Sequence, residues 1–289
     1  MSPDWSSYFN GKSAVLATMH GKEAAIAPTL AKALGLDVMV PADLDTDQFG
    51  SFSREVPRKG SQLDAARAKI AAGFALVPGA SVGIASEGTF GPHPAMPIVP
   101  QARELILLVD RLTGLELLGE DVSLETNYAH QVVSQAEDAL SFAIRCGFPE
   151  HGIVVSACVD GAPDPTLGID KSIVDENALV SVTTDFVGKF GTAFVETDMR
   201  AYRNPTRMQV IARAAADLVS QFKSRCPSCG YPGFRVVKVV RGLECGWCGE
   251  PTSAIRSRVS SCASCGHTEE IAQQADSRAD PSICELCNP

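Results

Sequence analysis

The chain has 289 residues, 45% of them apolar, and a formal net charge of -9. That is enough for one large domain, or for a domain of ordinary size plus a module. The acidic balance excludes a DNA-coating role and long-range attraction to anionic membranes, so a phosphate-bearing partner has to be met by local cations or a metal. No apolar run approaches the roughly 18 residues a membrane span needs, and "MSPDWSSYFNGK" has neither the basic nor the apolar region of an export signal. The expectation is a cytoplasmic protein with no membrane partner, in which eight of the ten cysteines fall in CxxC pairs and serve metal rather than disulfides.

In chain order, "SAVLATM" (Ser13 to Met19) predicts a strand, interrupted by a turn at His20, Gly21, Lys22 and Glu23. Ala24 to Leu34 then reads as a helix ended by Gly35, with Pro28 in its first turn or at a kink. "LDVMVP" is a second strand. In "SQLDAARAKIAAGF", Ser61 reads as N-cap with Asp64 three residues on, and Leu63, Ala66, Ile70 and Phe74 recur at helical spacing. "ASVGIASEG" reads as a short strand running into "EGTFGPHPAMP", whose glycines and prolines predict an irregular turn. "ELILLVD" and "TGLELLGEDVS" look like strands paired through a turn at Thr113 and Gly114, which makes the sheet mixed.

"SQAEDALSFAIRCG" is a helix stopped by Gly147, "GIVVSACV" a strand, and "ENALVSVTTDFVGKF" favours helix. "TAFVETDMR" reads as strand then loop. Asn204 as N-cap and Pro205 at the first helical position open a last long helix. The alternation predicts an α/β fold, a three-layer mixed-sheet domain over residues 1–225, followed by a small C-terminal zinc-ribbon module over 226–289.

That tail holds four CxxC pairs: Cys226 and Cys229, Cys245 and Cys248, Cys262 and Cys265, Cys284 and Cys287. Two thiolates two residues apart can share one ion, and a second pair completes the tetrahedron that Zn²⁺ prefers. Fifteen residues separate Cys229 from Cys245, and 18 separate Cys265 from Cys284, both suited to ribbons. Two structural zinc ions are therefore expected, against redox pairs or a rubredoxin-type iron site. Spacing leaves sequential and interleaved pairing both open, and His267 is spare. The tail carries six Lys/Arg and seven Asp/Glu, so nucleic acid is expected to bind weakly, if at all.

Three turns concentrate charge where ligands collect in open α/β sheets, beyond the strands' carboxyl ends. They are "TMHGKE", "ASEGTFGPHP" and "ETDMRAYRNPTRM". Lys22, Arg200 and Arg207 suit phosphate oxygens, Glu87, Glu196 and Asp198 suit Mg²⁺ or Mn²⁺, and His20 and His93 suit proton transfer. Against this stands the ordinary solvation of loop charges. "DLDTDQFGSFSR" is no calcium loop, since Gln48 sits at the position needing Gly and Arg54 where the bidentate Glu belongs. Asp43, Asp45 and Asp47 are expected to form an acidic loop near the site.

The set "ATMHGKE", "DTDQFGSF", "ASEGTFGPHP", "ETDMRAYRNPTRM" and the CxxC-rich tail resembles, over nearly the whole chain, a bacterial family catalogued as a domain of unknown function. Roughly the first 95 residues also look like the inosine/xanthosine triphosphate pyrophosphatases, in which a Thr-x-Asn-x-x-Lys turn holds phosphates and an acidic turn before Gly lies beside the metal. That resemblance implies a phosphate turn of Thr18, His20 and Lys22, with Glu87 and Gly88 beside a metal; within the turn, Gly21 would bring the backbone close to an anion at the helix N-terminus. Two functions follow as expectations. One is a metal-assisted hydrolase of a nucleotide or related phosphorylated small molecule, braced by a zinc tail; the other is a non-enzymatic zinc-ribbon protein that binds RNA or a protein, with an α/β domain sensing a small anion. A homo-oligomer is compatible with either.

Overall fold

The computed structural model describes residues 3–51 and 54–288; Phe52 and Ser53 of the acidic loop lie outside the described residues. The chain is a mixed α/β protein that divides into two compact units, residues 9–219 and residues 220–289 together with 1–8.

In the first unit, β1 (Ser13–Ala17), β2 (Asp37–Met39), β3 (Val82–His93), β4 (Met96–Asp110) and β5 (Leu115–Ser123) form one sheet in the order β2-β1-β3-β4-β5. β1 runs parallel to β2 and β3, whereas β3, β4 and β5 form an antiparallel meander. A second sheet contains β6 (His130–Val133), β7 (Ile153–Val159), β8 (Ala162–Pro163), β9 (Ile169–Asp170) and β10 (Ala193–Thr197), in the order β6-β10-β7-β8 with β9 also on β7. Helices are α1 (Glu23–Leu34), α2 (Gln62–Leu76), α3 (Ala136–Arg145), α4 (Glu176–Phe190) and α5 (Pro205–Lys223). Pro28 lies inside α1, Gly35 caps it in the left-handed region, and Ser61 and Asp64 form a reciprocal capping box on α2.

The first sheet is covered on both faces. Gly83 of β3 lets Ile70 and Phe74 of α2 close on one face, where Ala17, Ala66, Ile70, Ala85, Leu105 and Leu107 form a core. On the other, α5 passes so near β5 that a Cβ at Gly119 would lie 2.5 Å from the Leu218 amide nitrogen. Around the second sheet, Phe142, Leu179, Val155 and Val195 belong to a separate core under α3 and α4.

The expected irregular turn at "EGTFGPHPAMP" is instead a long hairpin. β3 continues through Gly88, Thr89 and Phe90, paired with Glu104, Arg103 and Ala102, and Pro92 faces Pro100. Setting the two prolines opposite one another places their missing N–H groups together, which lets the ladder persist despite residues that ordinarily end a strand. Glu87 is accordingly a mid-strand residue, not a strand-end one.

The second unit is built on an antiparallel three-stranded sheet of β11 (Arg235–Arg241), β12 (Ile255–Ser261) and β13 (Thr268–Ala272). Residues at the start of the chain pack with it: Trp5 meets Tyr231 edge-on at 5.3 Å, and Arg225 donates to the Trp5 carbonyl.

Replacement of Gly119 by Ala tests the close packing of α5, because the clash is with backbone. We expect a loss of about 1–3 kcal/mol, read as a lower urea midpoint with unchanged slope; an unchanged midpoint would mean that the helix does not approach β5 this closely.

Candidate functional site

The tail's geometry follows from its knuckles. The amides of Gly230, Gly249 and Gly266 donate to the carbonyls of Cys226, Cys245 and Cys262, and all three glycines have φ between +72° and +78°. Only glycine takes that left-handed bend without strain. The fourth knuckle closes similarly, with the Asn288 amide on the Cys284 carbonyl.

Two four-thiolate groups result: Cys226, Cys229, Cys262 and Cys265 in one, Cys245, Cys248, Cys284 and Cys287 in the other. The pairs interleave, first with third and second with fourth. The meander dictates this, because each strand carries the chain once across the sheet and successive pairs fall at alternate ends. Sulfur separations of 3.7 Å (Cys226–Cys265), 3.6 Å (Cys229–Cys262), 3.8 Å (Cys245–Cys287) and 3.7 Å (Cys248–Cys284) match the roughly 3.8 Å edge of a tetrahedron with zinc–sulfur bonds of about 2.3 Å. The donor set thus fits zinc, and each group could hold one ion. Amide donors of Cys248 and Trp247 also point at the Cys245 sulfur and lower its pKa, whereas crowding by neighbouring thiols raises that of Cys287 in the same group.

Within the unit 9–219 lies a cavity of about 300 Å³. His20 enters it from the loop after β1, and Asp47, Ser51, Arg54 and Arg58 from the long loop before α2. Gly88, Thr89 and Phe90 of β3 form a wall; Tyr128, Val154 and Lys171 add to it, with Glu196 and Thr197 at the end of β10 and Asp198 to Arg200 just after it. Four permanent cations, Arg54, Arg58, Lys171 and Arg200, face three carboxylates, Asp47, Glu196 and Asp198. Each carboxylate is engaged: Arg54 grips both Glu196 oxygens at 2.7 and 2.9 Å, Arg200 chelates Asp198 at 2.6–3.0 Å, and His20 meets Asp47 at 3.1 Å. Burial raises the Glu196 pKa, with Arg54 opposing. Phe90 and Tyr128 stack at 6.2 Å, giving the cavity an aromatic side.

Of the residues expected from sequence, His20, Gly88, Glu196, Asp198 and Arg200 line this cavity. Thr18, Lys22, Glu87 and Arg207 are buried and outside its lining. The Thr18 hydroxyl donates to the Met19 carbonyl and Lys22 Nζ to the Ser86 carbonyl. Glu87 is held by Lys69 on one oxygen and by Arg58 at 3.2 Å on the other. Arg207 pairs with Glu104, both fully buried, at 2.6 Å. Gly21 makes the left-handed turn beside His20 at φ +75°. His93 sits at the hairpin end, where its Nδ1 accepts from the Ala95 and Met96 amides.

Among the described residues, the thiolate groups are the clusters able to hold a metal. Glu87, Glu196 and Asp198 do not form a ready site for Mg²⁺ or Mn²⁺, since cations occupy their oxygens. Arg54, Arg58, Phe90, Tyr128 and Lys171 escaped the sequence reading. Both arginines stand in an unpatterned loop, and Tyr128 and Lys171 are isolated polar residues with no spacing signal.

The fold and the two groups of thiols define a mixed α/β protein with a cysteine tail able to hold two metal ions. The chain belongs to the family described as domain of unknown function DUF6671, whose model matches residues 74–289. No curated protein matches it, and among the described residues no helix is long and apolar enough to cross a membrane.

Interleaving is tested by removing one thiol from the first pair and one from the third. In Cys226→Ser/Cys265→Ser, both losses fall on one ion, so native mass spectrometry should find one zinc where the parent has two. Sequential pairing would damage both sites and lose both ions.

Lys22 carries a pH signature. Burial, followed by the charges of Arg207 and Lys69, pushes its ammonium down to about 7. Between that value and the free-lysine pKa of about 10.4, the unfolded chain binds a proton that the fold does not, so stability rises with pH in this window. Relative to Lys22→Met, the wild-type unfolding free energy should climb with a slope approaching about 1.4 kcal/mol per pH unit. Parallel pH profiles of the two proteins would show that Lys22 stays charged.

Proposed function

We propose that the unit 9–219 is a hydrolase of a phosphorylated small molecule, a nucleotide or a related metabolite, and that the zinc tail braces the protein. The observation that carries this reading is the convergence of Arg54, Arg58, Lys171 and Arg200 on one open-mouthed cavity that also has an aromatic side. Guanidinium groups take phosphate oxygens in pairs, and an arginine already oriented on a carboxylate can exchange it for a phosphate at small entropic cost. Phe90 and Tyr128 offer a face to a ring such as a nucleobase. The likeness of the first 95 residues to the inosine/xanthosine triphosphate pyrophosphatases points to the same substrate class.

Mg²⁺ or Mn²⁺ would enter with the substrate phosphates, which supply much of its coordination, and would neutralise phosphate charge. The chain's own contribution is to clamp the anion with Arg58, Arg200 and Lys171.

A thermal-shift series with inorganic pyrophosphate, nucleoside triphosphates and sugar phosphates, each with and without Mg²⁺, tests the reading. A ligand at a hundred times its Kd adds about 2.7 kcal/mol to the folded state, so Tm should rise by several degrees with at least one of these compounds. Arg58→Met and Arg200→Met should abolish most of that rise. Unmoved melting curves across the series would sink the proposal.

A second reading is favoured by the tail's surface: Val236, Val237 and Val239 of β11 are exposed between Arg235, Lys238 and Arg241, and Trp247 is 78% exposed. Such a surface suits an RNA or protein partner, with the cavity serving as an anion sensor. Tight RNA binding with a steep salt dependence would support it.

A further inference from the structure

His20 has three features that an ordinary turn histidine lacks. Its backbone is left-handed at φ +70°, followed at once by Gly21 at +75°. A non-glycine residue held there costs free energy, and such positions gather where the surroundings over-determine a functional side chain. Its imidazole is also fixed in two directions. Nε2 lies 3.1 Å from Asp47 Oδ1, and the ring stacks on Tyr202 at 5.8 Å and 22°. Tyr202 is in turn covered by the Arg200 guanidinium at 5.0 Å, and Arg200 is locked on Asp198. Finally, His20 and Asp47 both line the cavity, where His20 is 15% exposed and Asp47 42%.

From these contacts we infer that His20 is the proton acceptor of the cavity, working through Nδ1, and that Asp47 is the residue that positions it. The inference rests on the hydrolase reading above. An ionised Asp47 accepts only, so a neutral imidazole presents Nε2–H to it and has Nδ1 as its accepting nitrogen. The hydrogen bond from His20 also holds the Asp47 carboxyl below its ordinary range.

In the reaction, a water hands one proton to His20 Nδ1 while its oxygen bonds to phosphorus. The bond from phosphorus to the leaving oxygen breaks, and its electron pair stays on that oxygen. The imidazolium then gives its proton to the leaving oxygen and returns to neutral. Asp47 stabilises the imidazolium and takes no proton itself. The acid Glu196 and the cations Arg200 and Lys171 share the cavity, so the developing imidazolium sits in a field of both signs.

The chain has five histidines, few enough for assignment by single replacement. The full-length protein, labelled with ¹⁵N in histidine, is read by long-range ¹H–¹⁵N correlation, with His20→Gln identifying the ring. At neutral pH we expect the Nε2–H form, a shift to the Nδ1–H form or a mixture in Asp47→Asn, and recovery in Asp47→Glu. Added inorganic pyrophosphate should move the His20 Nδ1 resonance in wild type. A ring that shows the Nδ1–H form in wild type, or the same tautomer in Asp47→Asn, overturns the inference. So does pyrophosphate that shifts the Arg200 side-chain signals and leaves His20 unmoved, an outcome that keeps the hydrolase reading intact. If pyrophosphate moves neither residue, the anion reading falls, and the tautomer alone then speaks only for the Asp47 contact, so the catalytic assignment falls too.

Discussion

The ion pair between Arg207 and Glu104 governs the organisation of the unit that holds the cavity. Both side chains are 0% exposed, and removing one partner of such a pair typically costs about 3–5 kcal/mol, because the other is left charged and buried. Their contact joins α5 to the middle of β4. It also needs the empty space of Gly88, where a Cβ would come within 2.7 Å of Arg207 Nη2. The same guanidinium lies 5.1 Å over the Phe90 ring and donates to the Met199 carbonyl. One buried group therefore fixes the helix, the aromatic wall and the loop that presents Asp198 and Arg200. Asn204 completes the arrangement by capping α5 through the Arg207 amide while its own amide donates to the Asp198 carbonyl.

The tail achieves order by different means. Its strand β11 is nearly all exposed and contributes little burial, so the hydrophobic term that organises the first unit is weak here. Repeating knuckles replace it, each a short hydrogen-bonded loop that aims two sulfurs at one point. Metal affinity in such modules is folding free energy. One unit thus draws its rigidity from a broad apolar core and the other from two compact groups of thiols, each half buried.

Much of this was legible in the sequence because it is written in local signals. Ser61 with Asp64, Asn204 with Pro205, and the four CxxC steps each fix geometry within a few residues, and all are found as read. The hairpin through Gly88 to Pro100 was not legible, since proline and glycine ordinarily break strands and only the opposite placement of Pro92 and Pro100 reconciles them. Four-residue β6 was too short to register. At the cavity, His20, Asp198 and Arg200 stood out as charges beside strands, whereas Lys171 and Tyr128 arrive from distant loops through tertiary packing alone. The cations that occupy Glu87 are equally remote in sequence, so a carboxylate suited to metal by pattern turns out to serve Arg58 and Lys69. The thiol pairing follows from counting strands between the pairs, a topological clue that spacing by itself does not contain.

That topology makes β11 a strut. Cys226, Cys229, Cys245 and Cys248 precede the other thiols in the chain, and joined directly they would satisfy one tetrahedron with the wrong partners. Seven residues of extended strand, at about 3.3 Å each, hold the two knuckles roughly 20 Å apart. The exposed valines of β11 suit a strut, because β-branched side chains favour the extended backbone that spans this distance.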